Sequence, residues 1–305
     1  MKINSTGFHD VEHDKKNSDK TQRIVVIGDS FTAAIHVERS KGWTQTLKQR
    51  LHKIDYPSVD VVNLGLDGTG TNVHLAILKQ YLPILRPDVV ILAFYKNDIK
   101  DALSKRKFRE CYKGYVLTFQ NEWQKNRLRT FVDTYKTGPF FSWLFNNLYL
   151  VRATTLLHKD DRVGMLLRSN YLSPSMIGIA VNERATAPVD IDGLFQQFKE
   201  LSQQYNYKFL IIPVLSKRNP TDSLNILRHN VTELTLTELD IINISPIVQK
   251  LLMKDNKPYN DLFWKYDGHF NNYGNHVFGL AVAEVIDNYL KRSSDSFLTH
   301  QQNRN

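Results

Sequence analysis

Apolar positions in this chain fall into short unbroken runs separated by amphipathic stretches. The first run, Ile24-Val25-Val26-Ile27, is four β-branched residues in succession. It predicts a strand buried on both faces, as in a parallel sheet. Similar runs lie at 59–64 and 88–94. Between the first two, residues 42–51 have the spacing of an amphipathic helix. Between the second and third, Leu75, Leu78, Leu82 and Leu85 share one face of a helix expected over 72–85, which Pro87 separates from the next strand. Strand, helix, strand, helix, strand at this spacing predicts a parallel sheet with right-handed crossovers.

The alternation then breaks, and from 99 to 188 no strand alternates with a helix. Residues 140–157 read as a largely apolar helix that packs over the core, with an interfacial membrane helix as the alternative. The rhythm resumes with a helix at 191–205, a strand at 208–214, a helix at 223–233 and a fifth strand at 239–244. A loop carrying Tyr266-Asp267-Gly268-His269-Phe270-Asn271 leads to a last helix over 273–290. Residues 1–22 are polar without periodicity and are expected to form an arm or loose coil. Residues 292–305 are expected to be a polar tail. The organisation expected is thus an arm (1–22), an α/β domain (23–291) interrupted by an insertion or lid (99–187), and the tail.

Composition narrows the class. The 305 residues are 42% hydrophobic, with mean hydropathy −0.38, an ordinary globular balance. No apolar run reaches the roughly 18 residues of a membrane span, and the polar N-terminus lacks a signal-peptide core. These features point to the cytoplasm. The single cysteine, Cys111, excludes an intrachain disulfide framework and a cysteine-rich zinc site. The formal net charge is +9, and 15 Lys/Arg against 7 Asp/Glu between Ile99 and Ala187 put +8 of it in the insertion. That segment holds Lys105-Arg106-Lys107-Phe108-Arg109 and many aromatics, among them Trp123, Phe131, Tyr135, Phe140, Phe141 and Trp143. No recognisable nucleic-acid motif accompanies them, so no nucleic-acid partner is expected. Peripheral docking on an anionic surface remains open.

The candidate chemistry sits in the loops that follow strands, where open α/β sheets place their ligands. Gly28-Asp29-Ser30 ends the first run. Ser30 either caps the helix that follows or serves as a nucleophile beside the first helical amides. Gly68 either lets backbone approach a ligand or only makes a tight turn with Gly65 and Gly70. Asn97 either aims a side-chain N–H at a developing oxyanion or bonds its own turn. Asp98 beside it is given no catalytic role. Asp267 and His269, two residues apart, can set a carboxylate against one imidazole nitrogen and leave the other facing the serine. The loop after the first strand lacks a P-loop ending, and no His/Asp/Glu cluster has convincing metal spacing. Neither a metal nor another cofactor is expected.

The ordered set of loops resembles the SGNH hydrolases, the GDSL-like esterase/lipase group, over nearly the whole chain outside the insertion. Gly28-Asp29-Ser30 is similar to the block that supplies the nucleophile and one oxyanion amide. Asn63-Leu64-Gly65-Leu66-Asp67-Gly68 resembles the second block, and Asn97-Asp98 the third. Asp267-Gly268-His269-Phe270-Asn271, with Gly274 following, resembles the last. The resemblance implies Ser30, His269 and Asp267 as a catalytic triad, with Ser30, Gly68 and Asn97 forming the oxyanion hole. Asn4 to Phe8 also resembles the lead-in of members with GDSF-T openings, many of them linked to cell-surface carbohydrate. Three departures stand out: Tyr95 where the third block usually has glycine, Ala34 where many GDSF-T members have glycine nearby, and an Asp–His gap of two rather than three.

Together with the alternation, the resemblance implies a flavodoxin-like three-layer α/β/α sandwich. Its sheet would have five parallel strands in the order 2-1-3-4-5, with the insertion after strand three. The function expected is a serine esterase acting on a carboxylic ester, such as an O-acyl group on a carbohydrate. Transfer of the acyl group to another hydroxyl by the same residues is one alternative. A non-catalytic module that binds an acidic or sugar polymer is the other.

Overall fold

A computed structural model describes residues 3–14, 22–103, 108–112, 115–119, 122–131, 133 and 189–302. His9–Ala102 and Asp190–Asn305 belong to one compact unit, and Ile3–Phe8 and Leu103–Val189 to another.

In the first unit, β1 (Arg23–Gly28) and β3 (Val89–Phe94) are buried along their whole length. With β2 (Asp60–Gly65) and β6 (Lys208–Pro213) they form a parallel sheet in the order β2-β1-β3-β6. β1 is central, and Gly28 lies level with Gly65 on one side and Ala93 on the other. Successive side chains point to opposite faces. Ile24, Val26, Val89, Ile91, Leu210 and Ile212 join one core with α2 (Trp43–Lys53) and the long helix Asn272–Gln302. Phe94 and Phe209 face the other way, packing on Phe195 and Phe198 of the helix Ile191–Tyr205, which lies beside α3 (Thr71–Leu85). The sheet thus has helices on both faces. Each of these fully buried aliphatic side chains stabilises the fold by about 1.5–3 kcal/mol.

The expected fifth strand at 239–244 is only a single parallel bridge, Ile211 to Ile241. Ile211 N–H donates to Asp240 O and Ile242 N–H to Ile211 O, each at 2.9 Å. Asn243 Oδ1 then accepts from Ser245 N at 3.0 Å and turns the chain into a helix, Ser245–Lys254. The order of the sheet is the expected one, with its last position reduced to that bridge. The helix 245–254 adds to the expected elements; Pro246 stands in its first turn, where a fixed φ suits a helix start.

The second unit contains an antiparallel hairpin, β4 (Phe108–Tyr112) with β5 (Tyr115–Phe119), and a helix, Glu122–Phe131. The helix expected over 140–157, the tract Lys105-Arg106-Lys107 and most of the insertion lie outside the described residues. Among those described, no helix is long and apolar enough to cross a membrane.

The described part of residues 1–22 is not loose where it belongs to the first unit. Asp10 is fully buried and accepts from the Asn63 amide at 2.6 Å and from Gln45 Nε2 at 3.0 Å. His13 bridges Asp10, at 2.9 Å, and Asp60, at 3.0 Å, while Arg23 and Lys48 also reach Asp60. Polar composition concealed this docking because its contacts are ionic. Burial would lower the His13 pKa, but the two carboxylates outweigh it and raise it to about 9. The folded protein therefore holds this proton more tightly than the unfolded chain. That contribution is complete below the ordinary histidine pKa of about 6.5 and is lost as pH rises toward 9. The melting temperature is expected to fall across that window, and His13→Gln to flatten the decline; calorimetry over a pH series checks both.

Candidate active site

Ser30 opens α1, a four-residue turn, Ser30–Ala33. So short a helix cannot sustain itself, and its surroundings hold it. Asp29 caps it, Oδ1 accepting from Phe31 N at 3.0 Å. Its last carbonyls, which no helical turn satisfies, receive three side chains. Trp43 Nε1 donates to Phe31 O at 3.1 Å, Asn63 Nδ2 to Thr32 O at 2.8 Å and His9 Nδ1 to Ala33 O at 2.9 Å. The turn also sits directly on the end of β2. A Cβ at Gly65 would lie 2.3 Å from Ala33 N, so only glycine allows this approach. Ala34 ends the turn at φ 49°, left-handed backbone that glycine adopts without strain.

Asp267 and His269 sit on a loop closed by the antiparallel bridge Phe263–Phe270 and by Trp264 N donating to His269 O at 3.1 Å. Asp267 Oδ1 accepts twice from His269, from its backbone N at 2.9 Å and from its ring Nδ1 at 2.5 Å. The same carboxylate therefore sets both the turn and the ring. Burial alone would raise the Asp267 pKa; the two bonds from His269 and its charge outweigh this and hold it below the usual carboxylate range. With Nδ1–H given to Asp267, Nε2 presents its lone pair to Ser30 Oγ at 2.8 Å. The His269 ring rests against Phe31 at 4.9 Å and against His36 at 4.1 Å, centroid to centroid.

The fold puts Gly68 and Asn97 just past β2 and β3, the two strands that flank β1, on the same C-terminal edge as Ser30. Gly68 has φ 66°, a conformation that suits glycine. Asn97 Nδ2 donates to Asp101 Oδ2 at 2.6 Å, on the helix Asp98–Leu103. A primary amide has two N–H groups, and Asp101 takes one of them. Two buried carboxyls lie beneath this edge. Burial pushes Asp29 up to about 7 against the Phe31 amide bond, with the charges of Asp67 and Asp101 adding to the rise. Burial also lifts Asp98 well above its ordinary value, with Asp29 adding to it. Both shifts reduce the negative charge these carboxyls carry under this edge.

Sequence reasoning did not identify His9, His36, Trp43 or Lys217 as supports, and no local pattern signals them. Lys217 Nζ donates to three backbone carbonyls of the loop that carries Asp267 and His269, Trp264 O at 2.7 Å, Lys265 O at 2.8 Å and Asp267 O at 3.3 Å. Its three N–H groups are thereby matched to the loop. Lys217→Met is expected to lower kcat by roughly 10- to 100-fold through displacement of Asp267 and His269, as misplacement by an ångström can. The melting temperature should scarcely move, since the residue is on the rim; steady-state kinetics beside a thermal melt tests the pair.

A GDSL-like lipase/acylhydrolase family model matches residues 24–282. Esterase TesA of Pseudomonas aeruginosa is 34% identical over 77 residues, 25% of this chain and 38% of the esterase, so the match spans well under half the length of that relative. Among solved structures, the lipase/acylhydrolase of Enterococcus faecalis is similar at TM-score 0.44 and 16% identity, covering 88% of this chain and 97% of that one. The acetyl xylan esterase AlAXEase is similar at TM-score 0.43 and 15% identity, over 87% and 99%.

Proposed function

The chain belongs to the GDSL-like lipase/acylhydrolase family, and from that membership we propose that it is a serine esterase with Ser30 as nucleophile. The observation that carries this reading is the unbroken relay from Ser30 Oγ through His269, at 2.8 Å, to Asp267, at 2.5 Å. Ser30 Oγ attacks the ester carbonyl while His269 Nε2 takes its proton. Asp267, accepting from Nδ1–H, holds the tautomer and supports the imidazolium. The tetrahedral oxyanion is received by the amides of Ser30 and Gly68 and by the second N–H of Asn97. Collapse expels the alcohol, which takes the proton from His269. Water, activated by the same imidazole, then releases the acid from Ser30. A fluorophosphonate probe tests the assignment. It should label the protein once, and peptide mapping should put the adduct on Ser30; labelling elsewhere, or none, would discard it.

The substrate we propose is an O-acyl group on a carbohydrate. Supporting it, Trp264 and Tyr266 on the triad loop are 41% and 92% exposed, and such rings stack on the apolar faces of sugars. Tyr266→Ala should raise KM several-fold for an acetylated oligosaccharide and leave hydrolysis of a small aryl acetate unchanged. Equal effects on both substrates would argue against the platform.

A further inference from the structure

We propose that His36, Asp267 and His269 form a binding site for a borderline divalent cation, Zn²⁺ foremost, and that occupying it silences the esterase. The inference rests on the triad reading above for its consequence, but not for its geometry. His36 follows the Ala34 turn, and its ring lies over that of His269 with the planes 35° apart. One donor atom from each of His36, Asp267 and His269 lies within 4.8 Å of the other two. Donors on one tetrahedral Zn²⁺, at about 2.0–2.1 Å from the metal, are roughly 3.3 Å apart. Closing the gap takes a shift of about 1.5 Å at most, within reach of side-chain rotation. The donor set also fits. Two imidazoles and a carboxylate suit Zn²⁺, Co²⁺ or Ni²⁺ and leave a position for water, whereas Mg²⁺ and Ca²⁺ demand oxygen ligands. No sequence spacing announces the site, because its histidines come from opposite ends of the chain.

Silencing follows from the valence of imidazole. Neutral His269 carries one proton and one lone pair. A metal on Nε2 occupies the lone pair that must accept the Ser30 proton. A metal on Nδ1 displaces Asp267 and sends the ring proton to Nε2, the wrong tautomer for a base. In either case the ion exchanges water ligands for protein donors; on Nδ1 the ring N–H bond also breaks as the proton re-forms one at Nε2.

Two readouts test this. First, one equivalent of Co²⁺ added to the resting protein should give the intense visible bands of a tetrahedral site, absent in His36→Gln. This reading needs no turnover, so it stands or falls independently of the esterase assignment. Second, micromolar Zn²⁺ should stop both ester hydrolysis and fluorophosphonate labelling. EDTA should restore both, and Mg²⁺ should do neither. Measured against its own metal-free turnover, His36→Gln should need at least about tenfold more Zn²⁺ for half inhibition, since even outer-shell losses weaken metal binding 10- to 100-fold. Equal zinc sensitivity in wild type and His36→Gln, or no cobalt bands at one equivalent, would overturn the site.

Discussion

Ser30→Ala is expected to abolish fluorophosphonate labelling and to lower ester turnover by on the order of 10³ or more, the scale of triad knockouts. In the proposed mechanism the hydroxyl bonded to His269 at 2.8 Å is the group that forms the acyl-enzyme. The fold should survive. The turn that carries Ser30 is held by Asp29, Trp43, Asn63 and His9, and alanine is at home in a helix. His269→Ala should cost about as much, because a serine hydroxyl without a base is a poor nucleophile near neutral pH. The double variant should be scarcely worse than either single one, since the two residues act as a unit. Two losses that multiplied would mean that Ser30 and His269 serve separate steps. Wild-type turnover in Ser30→Ala, on an ester the protein demonstrably cleaves, would remove the nucleophile from the mechanism.

What could be read from the sequence follows from where the information is stored. β1 and β3 are buried on both faces, so their composition alone is diagnostic, and parallel pairing follows from the helices between them. The strand expected at 239–244 is present as a single bridge, Ile211 to Ile241, and Asn243 Oδ1 accepts from Ser245 N where the chain turns into the next helix. Polar residues 9–14 gave no periodic signal, since the network of Asp10 and His13 with Asp60, Arg23 and Lys48 is ionic. Of the reacting groups proposed here, Ser30, Gly68 and Asn97 each lie just past a strand, and it is the ordered set with Asp267 and His269, rather than any one of them, that stands out. Their supports do not. Trp43, Lys217 and His36 come from distant segments, and only the folded chain brings the Lys217 ammonium to the carbonyls of the triad loop or His36 to His269.

The proposed oxyanion donors give the second large effect. Asn97→Ala should leave Ser30 open to slow labelling but cut kcat by about 10²–10³, the usual loss for one such donor. KM should change little, because the bond strengthens only as negative charge develops on the carbonyl oxygen. Asp101 refines the expectation. By accepting from Asn97 Nδ2 at 2.6 Å it fixes the amide plane, and so the direction of the second N–H. Asp101→Ala should therefore also lower kcat, by less than Asn97→Ala, and should add little to that loss in the double variant. Asp101→Asn, whose side-chain oxygen can still accept, should recover part of it. This ordering separates two roles for the carboxylate. If Asp101 instead competes with the oxyanion for Asn97, its removal releases the donor, and Asp101→Ala would raise kcat. If Asn97→Ala stays within a few-fold of wild type, Asn97 is a turn residue, and the hole is made by the Ser30 and Gly68 amides alone.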